Sequence, residues 1–182
     1  VAQVTFTLGG KRGRLVGVAK GAGMIHPNMA TMLSLILTDA EVEPDVLWGL
    51  LRPAAARTWN QLSVDGDTST NDTVFVLASG ATRSAPLTSG SLAAAALGRA
   101  IEAVARDLAR QQAADGEGAT ILITTAVRGA RDDADARAVA RAIVSSSLVK
   151  AAAHGKDPNW GRVAGAAGNA TVASQAVLEA AG

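Results

Sequence analysis

The sequence predicts a layered α/β or α+β fold in one domain, because extended and helical patterns follow one another along the chain. Its 182 residues are enough for one domain, which at this size buries roughly 70% of the surface of the unfolded chain. Short alternation of apolar and polar residues predicts strands, and apolar residues at every third or fourth position predict helices. This succession favours stacked layers over a barrel or a helical bundle.

The first predicted elements are extended. Val1–Thr7 alternates, with Val4 and Phe6 on one face, and a Gly-rich turn separates it from a second extended run at Leu15–Ala19. Together these two runs predict a β-hairpin. The nearly continuous apolar run Thr31–Asp39 is typical of a strand that is buried on both faces.

A helix is predicted from Pro44, since proline suits the first helical turn. Pro53 lies where the interior of this helix would be, which predicts a kink there or a second helix from Pro53 to Trp59. Gln61–Asp65 and Thr73–Ser79 are predicted strands on either side of a polar loop.

The second half of the chain is predicted to be mainly helical. Apolar residues at every fourth position predict one long amphipathic helix over residues 89–113, and helical spacing returns at Asp132–Ala152. Between them, the β-branched apolar run Ala119–Val127 predicts a central strand. Gly161–Ala167 predicts a small-residue helix or turn.

Composition and charge narrow the functional classes. Lys and Arg number 17 against 16 for Asp and Glu, and a net charge of +1 argues against nucleic acid or a membrane surface as the main partner. The absence of cysteine excludes a thiol nucleophile, a thiolate metal site and a disulfide framework. No apolar run approaches the ~20 residues of a membrane span and no leader pattern is visible, so we expect a cytoplasmic protein.

The polar loop that begins at Asp65 resembles the start of a calcium loop, but the match then fails. Thr70 stands where the sharp turn needs Gly, and Val76 stands where a bidentate Glu is required. A hydrogen-bonded turn between strands is the simpler interpretation, and a polar loop lining an active site is the alternative. His26 and His154 lack a carboxylate at ligand spacing, so no metal site is predicted.

Thr31 is a candidate nucleophile if the chain is cut in front of it. Cleavage after Ala30 would leave a free α-amino group beside the Thr31 hydroxyl, the arrangement by which an N-terminal threonine activates itself. A threonine at the start of a strand is usually structural, however, and spacing alone favours that interpretation.

Four longer motifs follow one another in the chain: KGAGMIHPNMATML at Lys20–Leu33, VDGDTSTNDT at Val64–Thr73, DGEGAT at Asp115–Thr120 and DPNWGR at Asp157–Arg162. In this order they resemble the signature blocks of the ornithine acetyltransferases, also called bifunctional glutamate N-acetyltransferases, of arginine biosynthesis. The resemblance extends over residues 11–175.

The resemblance implies a self-processing N-terminal-nucleophile enzyme with a layered αββα-like sandwich fold. Cleavage between Ala30 and Thr31 would give α and β chains that stay together, with an α2β2 heterotetramer as the expected assembly. Residues 1–182 then form one catalytic-core domain, incomplete at both ends. Residues 1–30 are the end of the α-chain part, and residues 31–182 are the start and middle of the β-chain part.

The resemblance also implies the chemistry. Thr31 would be the nucleophile, and its freed amine the general base, in the transfer of an acetyl group from N-acetylornithine to glutamate through an acetyl-Thr intermediate. Lys20 matches a substrate-contacting lysine suited to an α-carboxylate, and Glu117 matches a glutamate suited to the ammonium end of ornithine. No cofactor is expected, and acetyl-CoA is an additional acetyl donor in bifunctional members.

The loop Asp65–Asp72 resembles a block near the nucleophile, so Asp65, Thr68 and Asn71 are predicted to support the site. The oxyanion-hole Thr and Gly of the family precede the stretch that corresponds to residue 1, and an Asn and a Thr that close its substrate site follow residue 182. Two alternatives stay open: a related self-processing amidohydrolase or aminopeptidase, and a truncated core without catalysis.

Overall fold

The computed structural model, which describes residues 1–26 and 32–171, contains one four-stranded sheet with helices packed on one face. In these residues the strands are β1 Ala2–Leu8, β2 Lys11–Lys20, β3 Leu33–Thr38 and β4 Thr73–Ala78. The helices are α1 Pro44–Arg57, α2 Leu92–Ala114, α3 Asp133–Ser145, α4 Ser147–His154 and α5 Trp160–Gly168, with a short 3₁₀ turn at Trp59–Gln61. None of these helices is long and apolar enough to cross a membrane.

The sheet has the strand order β1-β2-β3-β4, in which β1, β2 and β3 are antiparallel neighbours and β4 is parallel to β3. The predicted hairpin is confirmed, with Val4 opposite Leu15. Its two-residue turn has positive φ at both Gly9 (52°) and Gly10 (87°), a backbone conformation that glycine adopts without strain.

The core lies between the sheet and its two long helices. Helix α2, close to the range predicted for it, packs across β1 and β2, and α1 packs against α2. Ser91 begins α2 by accepting a hydrogen bond from the Ala94 amide (3.1 Å). Sheet and helix approach closely at Gly17, where a Cβ would lie 2.5 Å from Val104 Cγ1 and 2.8 Å from Leu108 Cδ1.

The prediction that the third strand is buried on both faces is wrong for the described residues. β3 buries alternate side chains, and the helices cover only the face that carries Ser34, Ile36 and Thr38. The opposite face of the sheet is apolar and open, which is consistent with one α layer and one β layer of the predicted αββα-like sandwich. Its exposed side chains are Val18, Leu33, Leu37, Phe75 and Leu77.

Helix α1 runs without a break through Pro53, so the second helix expected from Pro53 to Trp59 does not form. Pro53 removes the partner of the Gly49 carbonyl, but both residues are exposed and water can replace the lost hydrogen bond. The following predicted strand, Gln61–Asp65, is also wrong, because these residues form the end of the 3₁₀ turn and a loop.

The central strand predicted at Ala119–Val127 does not form either. This run has no regular secondary structure and pairs with no strand of the described chain, and Ile121 and Leu122 are partly exposed. The helix predicted over Asp132–Ala152 is divided at Ser146, whose hydroxyl accepts a hydrogen bond from the Val149 amide (3.3 Å) and begins α4.

Candidate active site

The predicted site residues gather at one end of the sheet. Lys20 at the end of β2 pairs with Leu33 at the start of β3, and Leu33 pairs with Thr73 at the start of β4. We call this row of Lys20, Leu33 and Thr73 the site edge. The β2–β3 connection leaves and returns at the site edge, because antiparallel neighbours end and begin on the same side of a sheet.

Ala30 and Thr31, the predicted cleavage position and nucleophile, lie outside the described residues. Both assignments therefore stay predictions. The described chain reaches the connection from one side at His26 and resumes on the other side at Met32.

The polar loop holds the first flank of this connection through Asp65. Its Oδ2 accepts a hydrogen bond from the Met24 amide (2.5 Å), and its Oδ1 accepts from the amides of Ile25 (3.1 Å) and Asp67 (3.0 Å). The Val64 amide donates to the carbonyl of the fully buried Ile25 (2.6 Å). Asp65 thus fixes the backbone just before His26.

The same loop holds the second flank through Asp72. Its Oδ1 accepts a hydrogen bond from the Met32 amide, and the Thr73 amide donates to the Met32 carbonyl (2.9 Å). The other carboxylate oxygen, Oδ2, is buried and has no hydrogen-bond partner in the described part of the chain. Sequence reasoning missed Asp72, although an acidic residue directly before a strand at the end of a predicted site loop was a usable signal.

Glu117 lies against the short stretch of backbone that follows Lys20. The Glu117 amide donates to the Ala22 carbonyl (2.6 Å), and its carboxylate lies so close to Gly23 that a Cβ there would be 2.6 Å from Oε2. Lys20 is two residues before Ala22, and its side chain is exposed at the site edge. A cation and a carboxylate near the same stretch of backbone suit a ligand that carries both a carboxylate and an ammonium group.

The position of Lys20 depends on Gln112, a second residue that sequence reasoning missed. The Gln112 amide group donates to the Lys20 carbonyl (3.2 Å), and its oxygen accepts from the indole nitrogen of Trp59 (3.0 Å). Gln112 continues the apolar every-fourth-residue series of α2, and a polar side chain on such a face indicates a buried hydrogen-bonding role.

A half-buried cation also holds the backbone just before the polar loop. Lys150 in α4 donates to the carbonyls of Val64 (2.6 Å) and Ser63 (3.3 Å). Burial lowers the pKa of Lys150, and the nearby Asp65 carboxylate opposes this shift. Lys150 therefore fixes the backbone immediately before Asp65.

His26 is held where the described chain meets the connection. Its Nδ1 lies 3.0 Å from Ser63 Oγ and 3.5 Å from Ser145 Oγ. Burial, followed by the positive charges of Arg141 and Lys150, lowers the pKa of His26 below its ordinary value of 6.5. The neutral imidazole is therefore the favoured form near neutral pH.

Thr68 and Asn71 lie on the outer part of the loop and are exposed. The Asn71 oxygen accepts from Thr70 Oγ (3.1 Å), and the Asn71 amide donates to Ser69 Oγ (3.3 Å). The expected hydrogen-bonded turn of polar side chains is confirmed. A site-supporting role for Thr68 and Asn71 stays a prediction.

Two cavities lie near this region. The first, of about 380 Å³, is lined by Glu117 together with Lys150 and His154. The second, of about 420 Å³, lies beside α2 and α3 and contains none of the predicted site residues. The candidate site therefore does not coincide with the larger cavity. Within residues 1–26 and 32–171, no three His, Asp or Glu side chains converge as metal ligands.

These features define a mixed α/β protein in which one polar loop accepts hydrogen bonds from both described flanks of the β2–β3 connection. The chain belongs to the ArgJ family, whose family model matches residues 1–179.

Curated relatives support the same assignment. The chain is 54% identical over 165 residues to the arginine biosynthesis bifunctional protein ArgJ of Synechococcus sp., covering 91% of this chain and 40% of that protein. It is 50% identical over 168 residues to the protein of the same name from Bacillus cereus, covering 92% and 41%. The chain thus spans about 40% of the length of these relatives.

A solved structure supports the fold. The crystal structure of the arginine biosynthesis bifunctional protein ArgJ from Bacillus halodurans matches with a TM-score of 0.74 and 46% sequence identity. The match covers 78% of this chain and 68% of that chain. The solved structure and the sequence comparisons therefore support the same family.

Proposed function

We propose that the full-length protein is an acetyltransferase of arginine biosynthesis that moves the acetyl group of N-acetylornithine to glutamate. The observation that carries the proposal is the position of Glu117 against Ala22 and Gly23, in the segment that directly follows Lys20 at the site edge. Lys20 would bind the substrate α-carboxylate and Glu117 the ammonium end of ornithine. The names of the relatives support the pathway.

The proposed enzyme first cleaves itself. Thr31 Oγ attacks the Ala30 carbonyl carbon, the bond between that carbon and the Thr31 nitrogen breaks, and the hydroxyl proton passes to this nitrogen. Water then hydrolyses the resulting ester, which leaves the Ala30 carboxylate and a free Thr31 hydroxyl beside a free α-amine. The role of the polar loop is to hold the described flanks, Ile25 and Met32, through the carboxylates of Asp65 and Asp72.

Acetyl transfer then proceeds in two halves. The α-amine accepts the hydroxyl proton while Thr31 Oγ attacks the acetyl carbonyl carbon of N-acetylornithine, and the C–N bond breaks to release ornithine. The amine of glutamate attacks the acetyl ester in turn, which forms N-acetylglutamate and restores the hydroxyl. Acetyl-CoA is an additional donor for the first half in a bifunctional enzyme, and no resident cofactor is needed.

The proposed assembly pairs α and β chains of one precursor in an α2β2 heterotetramer in the cytoplasm, with neither nucleic acid nor membrane as a partner. The near-balanced charge of the chain supports the proposal that neither nucleic acid nor a membrane is a partner. The open apolar face of the sheet offers a surface for the second β layer of the sandwich.

The test is the intact mass of the purified full-length protein under denaturing conditions, with and without N-acetylornithine. Two chains divided before Thr31, with one acetyl group added to the second, are expected. Thr31→Ala should prevent both changes, whereas Thr7→Ala, on an exposed position of β1, should prevent neither.

Product analysis separates the alternatives. Acetylglutamate formed from N-acetylornithine and glutamate supports the transferase. Free acetate without acetylglutamate would contradict the transferase and indicate a hydrolase. A folded, uncut protein that acquires no acetyl group would contradict both enzymes and favour a non-catalytic core.

A further inference from the structure

The larger of the two cavities, of about 420 Å³, takes no part in the proposed reaction. One wall is the face of α2 that carries Ala109 and Ala113, and another is the face of α3 that carries Ala136 and Ala140. Residues between Leu122 and Val127 line a further side. Its volume falls within the range of roughly 300–1,000 Å³ that is typical of small-molecule sites.

Positive charge is concentrated in this cavity, which we call the arginine cavity. The arginines that line it are Arg57, Arg106, Arg110 and Arg137. Among the described residues that line it, Asp133 is the single acidic one. Because the whole chain has a net charge of only +1, this local concentration is not visible in the overall composition.

Nearby carboxylates neutralise only part of this charge. Glu102 is shared, because one of its oxygens lies 3.3 Å from Arg57 and the other lies 2.6 Å from Arg106. Asp133 lies 3.9 Å from Arg137, and its side chain is 90% exposed, so this ion pair is weak. Within the described part of the chain the four guanidinium groups thus share two carboxylates, which leaves a surplus of two positive charges.

Arg110 has the weakest pairing of these arginines. In residues 1–26 and 32–171 its Nη1 donates a long hydrogen bond to the Thr124 hydroxyl (3.4 Å), and the side chain forms no ion pair. The guanidinium is a planar fork with several donors, and it matches two oxygens of a phosphate or a carboxylate at once. One contact with a neutral hydroxyl leaves most of these donors available to a ligand.

We propose that the arginine cavity binds a small phosphorylated ligand of about the size of a nucleotide. Its phosphate accepts hydrogen bonds from Arg110 and Arg137, the two arginines with the weakest carboxylate pairing. A phosphate monoester carries a charge of about −1.5 to −2 at pH 7, which matches the surplus. A phosphate alone would fill little of the cavity, and the apolar side chains of Leu62, Leu122 and Val144 suit a less polar body.

Isothermal titration calorimetry of the full-length protein tests the proposal, with ADP as the probe. ADP is expected to bind more tightly than pyrophosphate, which lacks the body, and more tightly than adenosine, which lacks the phosphates. Citrate carries its negative charge on carboxylates and is expected to bind more weakly than ADP. Tighter binding of citrate would overturn the assignment of a phosphorylated ligand.

Arg110→Gln is expected to raise the Kd for ADP about 10-fold, because it removes a charge-assisted hydrogen bond. Arg110→Lys keeps the charge without the planar fork and should have an intermediate effect. Arg99→Gln is the matched control, since Arg99 is also an exposed arginine of α2 but does not line the arginine cavity. Lys20→Gln should also keep the wild-type Kd, because Lys20 belongs to the candidate active site and not to this cavity.

Three results would overturn the proposal. They are the absence of ADP binding at millimolar concentration, equal increases in Kd in Arg110→Gln and Arg99→Gln, and a loss of binding in Lys20→Gln but not in Arg110→Gln. The last result would place ADP in the candidate active site. Should Arg110→Gln fold poorly, Arg137→Gln enters the same titrations with the same expected and contrary results.

Discussion

The indole nitrogen of Trp59 donates a hydrogen bond of 3.0 Å to the side-chain oxygen of Gln112, and both side chains are buried. The amide group of Gln112 in turn donates to the carbonyl of Lys20 at the site edge. Gln112 thus connects the turn after α1 to the end of β2, which carries a proposed substrate-binding cation.

Gln112→Leu should test this connection. Leucine fills similar space but leaves the Trp59 indole N–H and the Lys20 carbonyl without their partner, which should cost about 1–3 kcal/mol in the free energy of unfolding. Urea unfolding measures the loss, and steady-state kinetics should show a higher KM for N-acetylornithine. The neighbouring exposed Gln111→Leu should change the free energy of unfolding by less than about 0.5 kcal/mol. Equal effects at both positions would contradict this role for Gln112.

Gly23→Ala should displace the Glu117 carboxylate without disturbing the fold. The new Cβ would lie 2.6 Å from Glu117 Oε2, and the flexible end of the side chain can move away. We expect KM for N-acetylornithine to rise, with a melting temperature close to that of the wild type. Glu117→Gln is the comparison, since it removes the charge in place, and a Gly23→Ala enzyme with wild-type KM would argue against substrate contact by Glu117.

Two glycine substitutions should have opposite effects on stability. Gly17→Ala places a Cβ 2.5 Å from Val104 Cγ1, so the sheet and α2 must separate, at a cost of about 1–3 kcal/mol. Gly49→Ala lies in α1 with no atom within 4 Å of the new Cβ, and it should stabilise the helix by about 0.5–1 kcal/mol. Chemical denaturation of both variants measures the difference, and a destabilised Gly49→Ala would contradict the open helix surface.

His26 should make the free energy of unfolding depend on pH on the acid side. Its pKa in the folded protein is lowered from 6.5, chiefly by burial, so the unfolded chain binds a proton more readily. The contribution is present above pH 6.5, is lost as the pH falls toward the lowered pKa, and levels off below it. His26→Gln should flatten this part of the profile of urea unfolding against pH, whereas His154→Gln should keep it. Unchanged profiles in both variants would rule out His26 as the source of this pH dependence.

The pattern of residues along the chain predicted a strand or helix correctly where that element depends mainly on its own residues. The hairpin was predictable from alternation and paired glycines, and α2 from its apolar spacing. The sequence pattern gave wrong predictions where pairing or packing with a distant segment decides which structure forms. Ala119–Val127 has the composition of a strand but no neighbouring strand in the described chain, and Gln61–Asp65 is held as a loop by Lys150 and by contacts to Ile25.

The same division applies to the candidate site. Sequence by itself determined the family, the order of its motifs and the residue types at Lys20, Thr31, Asp65 and Glu117, because these are properties of the chain in one dimension. Only the tertiary structure decided that Asp65 and Asp72 hold the two described flanks of the β2–β3 connection, and that Glu117 lies against Gly23. These contacts join residues about forty or more positions apart. Such contacts form only when sheet register and helix packing bring distant segments within hydrogen-bonding distance.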